Sequence, residues 1–173
     1  MSILNIITVP DPMLRTRSQP IERVDDDLRR LVSDMLETMY AAPGIGLAAI
    51  QVAVPRRLVV LDLTEKENEP PSSLVMINPE IVTLGDTLAS YEEGCLSIPD
   101  VRVEIERPTS LTVRFLDREG QARQLDADGL LATAIQHEMD HLDGKLIIDF
   151  LSRLKRDMIV RRLKKQLRGE PKA

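Results

Sequence analysis

Between residues 24 and 42, VDDDLRRLVSDMLETMYAA sets Leu28, Leu31, Val32, Met35, Leu36 and Met39 at three- and four-residue spacing. That stripe predicts an amphipathic helix. Asp25 is its expected N-cap, acids fill the first turn where the helix dipole favours them, and Pro43-Gly44 stops it. A second helix is expected over 128–144, DGLLATAIQHEMDHLDG, ending near Gly144. A third, amphipathic, is expected over about 150–169, with Leu151, Leu154, Met158, Ile159, Leu163 and Leu167 roughly on one stripe. The runs 57–63, 74–82, 101–106, 110–117 and 122–127 read as strands, and DREG at 117–120 joins the last two as a hairpin. Residues 64–73, polar and proline-containing, read as a mobile loop. Without regular strand–helix alternation, the pattern predicts an α+β fold. Mixed, mainly antiparallel strands should pack around the 128–144 helix, with an amphipathic helix at the C-terminus.

Composition narrows the picture. A chain of 173 residues fits a single domain spanning 1–173, the basic C-terminal helix included. Two Phe, two Tyr and no Trp make the core aliphatic and argue against base-stacking platforms for single-stranded nucleic acid. One cysteine, Cys95, excludes an internal disulfide. No apolar run reaches transmembrane length, and the N-terminus lacks the basic leader of a signal peptide. A cytoplasmic location with no membrane partner is therefore expected. Charge is divided: residues 151–173 hold nine Lys/Arg against two Asp/Glu, leaving 14 basic and 26 acidic residues in the first 150. A basic tail on an acidic body reads either as an interaction surface or as a solvated helix face.

Both histidines of the chain, His137 and His141, lie four residues apart on the second predicted helix. That spacing stacks them on one face, where they can hold one metal ion while Glu138 faces a water on it. Two surface histidines on an ordinary helix would look the same, but the apolar flank of Leu131, Ala134, Ile135 and Leu142 argues for burial. A catalytic zinc or iron site needs a third protein ligand. Ile147 stands where a metzincin would carry its third histidine, and the only downstream glutamate, Glu170, lies in the basic tail. The remaining candidate is Cys95, in YEEGCLSIPD at 91–100, although a lone cysteine is more often a buried small hydrophobe.

GIGLAAIQ at 44–51, EGCLS at 93–97 and QHEMDH at 136–141, in this order, resemble the three signature motifs of bacterial peptide deformylases. The resemblance covers nearly the whole chain. It implies a hydrolase that removes the N-terminal formyl group from formyl-methionine of nascent polypeptides and releases formate. It implies one divalent ion, typically Fe(II), with Ni, Co or Zn able to occupy the site, held by Cys95, His137 and His141. Glu138 would take a proton from water and pass it to the departing nitrogen. The side chain of Gln51 and the backbone N–H of Leu96 would donate to the oxyanion. Gln51 without the resemblance reads as a surface residue after a helix-like LAAI stretch.

The glycines of GIG read structurally as a turn after Pro43. Functionally, Ile45, Gly46 and Gly94 would offer backbone to an extended peptide added as a strand. Leu130, Thr133 and Ala134 share the His137 face and would wall a pocket for the methionine side chain, or else simply pack in the core. Glu93 and Arg102 would pair at its mouth, or form a plain surface ion pair. Two other classes stay open: a metallopeptidase, and a non-catalytic protein with a structural metal whose basic tail binds an acidic partner. The emergence of nascent chains beside RNA phosphate makes the ribosome surface a candidate partner for residues 151–173.

Overall fold

The computed structural model describes residues 2–64 and 69–169. Among the described residues there are three helices: α1 (Asp26–Ala41), α2 (Gly129–Leu142) and α3 (Arg153–Leu167). Seven strands accompany them: β1 (Gly46–Ala48), β2 (Leu58–Leu61), β3 (Leu74–Leu84), β4 (Leu88–Cys95), β5 (Ile98–Pro108), β6 (Ser110–Leu116) and β7 (Ala122–Asp128). Short 3-10 turns occupy Pro12–Arg15, Ala49–Val52 and Ile147–Phe150. The fold is α+β, and every pairing between named strands is antiparallel. One sheet runs β1-β2-β3-β6-β7, and β4-β5 form a separate hairpin.

The apolar run of β2 is buried on both faces because a helix covers each side. Val59 and Leu61 join a core cluster with Ala132, Ala134, Ile135 and Leu142 of α2. Leu58 and Val60, pointing the other way, meet Leu28, Val32, Met35 and Met39 of α1. A third cluster gathers the inward face of β5 (Val101, Val103, Ile105) with Leu14, Ile147, Ile148 and Leu163. Helix α2 thus lies at the centre, packed against β1, β2 and β7.

The end caps that fix α1 and α2 are visible. Asp25 accepts from the N–H of Leu28 at 2.9 Å, as expected of the N-cap. Helix α2 stops at Gly144, whose φ of 74° and contact with the Arg15 carbonyl leave no room for a Cβ. Arg57 donates to the Leu142 carbonyl at 3.2 Å, placing a cation at the negative end of the helix.

Four sequence expectations change. Residues 46–48 form an edge strand rather than a turn leading into a helix-like stretch. Strand β4 was not foreseen, because it is solvated along most of its length and shows no apolar alternation. The C-terminal helix begins at Arg153, three residues after a separate 3-10 turn. Of its predicted stripe only Leu163 is buried, with Ile159 and Leu151 partly so, and Leu154, Met158 and Leu167 are exposed; Val160, outside the stripe, is partly buried in their place. The docked face is therefore narrower than the stripe. The loop expected at 64–73 falls in part on 65–68, outside the described residues.

Candidate metal centre

Three elements converge on one point. Cys95 ends β4, His137 and His141 project from α2, and Gln51 lies in the turn that follows β1. One ligand atom from each of Cys95, His137 and His141 lies within 4.8 Å of the other two. The Cys95 sulfur is 3.4 Å from His141 Nε2. His137 turns its Nδ1 to Glu93 Oε1 at 3.0 Å, which leaves its Nε2 toward the sulfur. A thiolate and two imidazoles are donors that iron or zinc accepts, and bonds of about 2.0–2.3 Å would bring them around a single ion.

The electrostatics fit a cation. Burial pulls the His137 pKa down, yet the charge of Glu138 and contacts to Cys95 and Glu93 outweigh it, and the ring is held well above its ordinary value. His141, buried and facing His137 and Arg107, is held well below. Burial pushes Glu138 up to about 7. A buried ring drawn toward its charged form by the thiol and carboxylates around it marks a site that favours positive charge. Glu138 Oε1 is buried without a hydrogen-bond partner among the described residues, and Glu138 Oε2 is 4.0 Å from His137 Nε2. The carboxylate stands beside the three convergent donors and outside their group; a metal held by those three would keep a coordination position for water.

Gln51 is buried, contrary to its surface reading. Its Oε1 accepts from the Ala48 N–H at 2.9 Å, which turns its NH2 toward Ser97 Oγ at 3.1 Å and the Cys95 sulfur at 3.6 Å. Ser97, fully buried, was not foreseen, and a lone serine in the short turn between β4 and β5 gives no signal for such a role.

Glu93 does not pair with Arg102, which is exposed at the cleft directly across from Gly94. It pairs with Arg107, whose Nε and Nη2 reach its two oxygens at 2.7 and 3.0 Å. Burial would raise the Glu93 pKa, but the hydrogen bonds from His137 and Arg107 hold it below the ordinary range. Arg107 was missed although a signal exists: the alternation Val101, Val103, Ile105 puts it on the buried face of β5.

A cleft of about 710 Å³ opens above the donors. Ile45, Gly46, Gly94, Leu96, Leu130, Thr133 and Ala134 all line it, together with Gln51, Cys95, His137 and Glu138. Thr133 and Ala134 are nearly buried, whereas Leu130 and Ile45 stand at the rim, 48% and 47% exposed. Strand β1 is the edge of the larger sheet, so its outer side faces the cleft with no named strand beside it. A Cβ on Gly46 would lie 2.5 Å from Glu138 Oε2; the glycine is what lets the strand pass the carboxylate.

The chain as a whole is similar to known proteins. Residues 3–157 match the polypeptide deformylase family model. The peptide deformylase of Rhizobium meliloti is 58% identical over 165 residues, covering 95% of this chain and 94% of that one. That of Azotobacter vinelandii is 58% identical over 168 residues, covering 97% and 98%. Among solved structures, the peptide deformylase of Ehrlichia chaffeensis in complex with actinonin superposes with a TM-score of 0.91 at 41% identity, covering 96% of this chain and 98% of that one. The Cys/His/His group and these likenesses together support a single bound metal ion. On this evidence the chain belongs to the polypeptide deformylase family.

Proposed function

We infer that this chain is a metal-dependent hydrolase, a peptide deformylase that removes the formyl group from the N-terminal formyl-methionine of nascent polypeptides. Residues 1–173 act as one catalytic domain. Cys95, His137 and His141 hold one divalent ion; the thiolate-plus-imidazole donor set suits iron or zinc, and the family resemblance points to Fe(II), with Zn, Ni or Co able to replace it. When bound, the ion supplies Lewis acidity, which lowers the pKa of water and polarises the formyl oxygen.

The side chains supply the rest. Glu138, with a pKa near 7, takes a proton from water as the water oxygen adds to the formyl carbon. Gln51 Nε2 and the Leu96 N–H donate to the oxygen that gains charge. Glu138 then delivers its proton to the amide nitrogen, the C–N bond breaks, and formate and a free amine leave. An extended peptide lies along β1, with backbone groups of Ile45, Gly46 and Gly94 as its partners. Such binding tolerates any sequence past the first residue. The methionine side chain rests against Leu130, Thr133 and Ala134.

The observation that carries this reading is the buried Glu138 oxygen, without a hydrogen-bond partner among the described residues, beside one thiol and two imidazoles that converge in an open cleft. A metallopeptidase would need no formyl group. Peptides with and without it, assayed for formate and for amine release, separate the two. Cys95→Ala, His137→Ala and His141→Ala should each lose the ion by metal analysis, and full occupancy in any of them removes that residue from the ligand set.

No described helix is long and apolar enough to cross a membrane. A cytoplasmic location follows from the substrate, since nascent chains are made there. Helix α3 presents Lys155, Arg161, Arg162, Lys164 and Lys165 to solvent and is the candidate contact to the ribosome surface.

A further inference from the structure

Arg107 makes more contacts with this centre than a neutralising partner of Glu93 requires. The residue is 6% exposed, and its guanidinium touches three elements at once. Two of its nitrogens fork onto Glu93 of β4. Nη1 donates to Asp140 Oδ2 of α2 at 3.0 Å. Its Cζ lies over the ring of Phe150 in the turn before α3, 5.1 Å from the ring centre, and Phe150 is itself half-exposed. Glu93, so gripped, uses Oε1 to accept from His137 Nδ1. A carboxylate that already accepts twice from an arginine fork accepts again at the ring, which places the ring hydrogen on Nδ1 and the lone pair on Nε2.

We propose that Arg107, clamped between Asp140 and Phe150, is a positioning residue that fixes the tautomer and orientation of His137 through Glu93. It touches neither substrate nor reacting atoms. Resting on the metal-site reading above, this role predicts that the ion is held less firmly when the fork is lost. Such partners commonly change metal affinity by about 10–100-fold. Lysine keeps the charge but cannot form the two parallel bonds, so charge and geometry are separable.

The test measures metal release to a chelator from the full chain, with the visible spectrum of the cobalt-loaded protein as a second readout. Wild type must hold one ion and Cys95→Ala none; if that fails, the metal-site reading falls and not this one. Arg107→Lys and Arg107→Met should release metal about 10–100-fold faster and shift the cobalt bands. Phe150→Leu should do so by a few-fold. Combining Arg107→Met with Glu93→Gln should add nothing to Glu93→Gln alone, because one acts through the other. Additive losses, or a melting temperature lowered with unchanged release and spectrum, would mean that Arg107 only braces the fold and would overturn the proposal. If Arg107→Met does not fold, Arg107→Lys and Phe150→Leu decide by the same two readouts: unchanged release and bands in both overturn it.

Discussion

Glu138 shows how one side chain is prepared for its task. It is buried, its Oε1 has no partner among the described residues, and its pKa sits at about 7, where an acid can both take and return a proton. Glu138→Gln keeps the volume and removes the proton acceptor. Metal content should stay at one per chain while turnover of a formyl-Met peptide falls by about 10²–10⁴-fold. Near-normal turnover would place the proton elsewhere. Gly46 acts on the same carboxylate from across the cleft. The Cβ of Gly46→Ala would meet Glu138 Oε2 at 2.5 Å and Leu61 Cδ2 at 2.8 Å, so the carboxylate must move. Turnover should drop with metal retained, and in a Glu138→Gln background the alanine should cause little further loss. An equal loss in both backgrounds would tie Gly46 to peptide binding alone.

The elements that carry the site differ in how they are anchored. The turn Ile147–Phe150 brings Phe150 to Arg107, and Asp149 in that turn receives both Arg15 nitrogens, at 2.6 and 2.9 Å. Burial would raise the Asp149 pKa, but Arg15 and the Leu146 N–H outweigh it and hold it below the ordinary value. A carboxylate whose pKa is lower folded than unfolded stabilises the fold above its unfolded pKa, and that contribution disappears as pH falls through the folded one. Asp149→Asn should therefore be less stable than wild type near neutral pH, and the two should converge in acid; a gap that persists in denaturant titrations at low pH would point to packing instead. The same elements show what a sequence reveals. Helices α1 and α2 were legible because helical period and apolar burial coincide, and His137, Glu138 and His141 share a helix face. Strand β4 was hidden because it turns nearly every side chain to water except Glu93. Gln51 and Ser97 were unreadable as a pair, since they meet through the turn after β1 and the bend after β4. Local pattern reports which side of an element faces inward; it does not report which two inward-facing polar groups meet.

On the scale of the whole molecule, charge is separated from chemistry. The cleft and its acidic surroundings lie within the first 150 residues, while the last 23 carry a net charge of about +7. Helix α3 is fixed by Leu163, by partial burial of Ile159 and Val160, and by a 3.9 Å pair between Arg156 and Asp149. Its remaining surface mixes exposed Leu154, Met158 and Leu167 with basic side chains. A solvated helix would have little use for the apolar members, whereas a surface of RNA and protein has use for both. Phosphate contacts bring strong salt dependence, and an acidic body limits binding to bare nucleic acid. Replacing Lys155, Arg161 and Arg162 by glutamate changes the tail by about six charges. It leaves Leu163 and the basic last turn in place, so the helix should persist. This variant should hydrolyse short formyl-Met peptides at the wild-type rate. It should lose co-sedimentation with ribosomes at low salt, as wild type should when salt is raised. If co-sedimentation is unchanged, the basic face is only a solvated one, and the enzyme meets its substrates by diffusion.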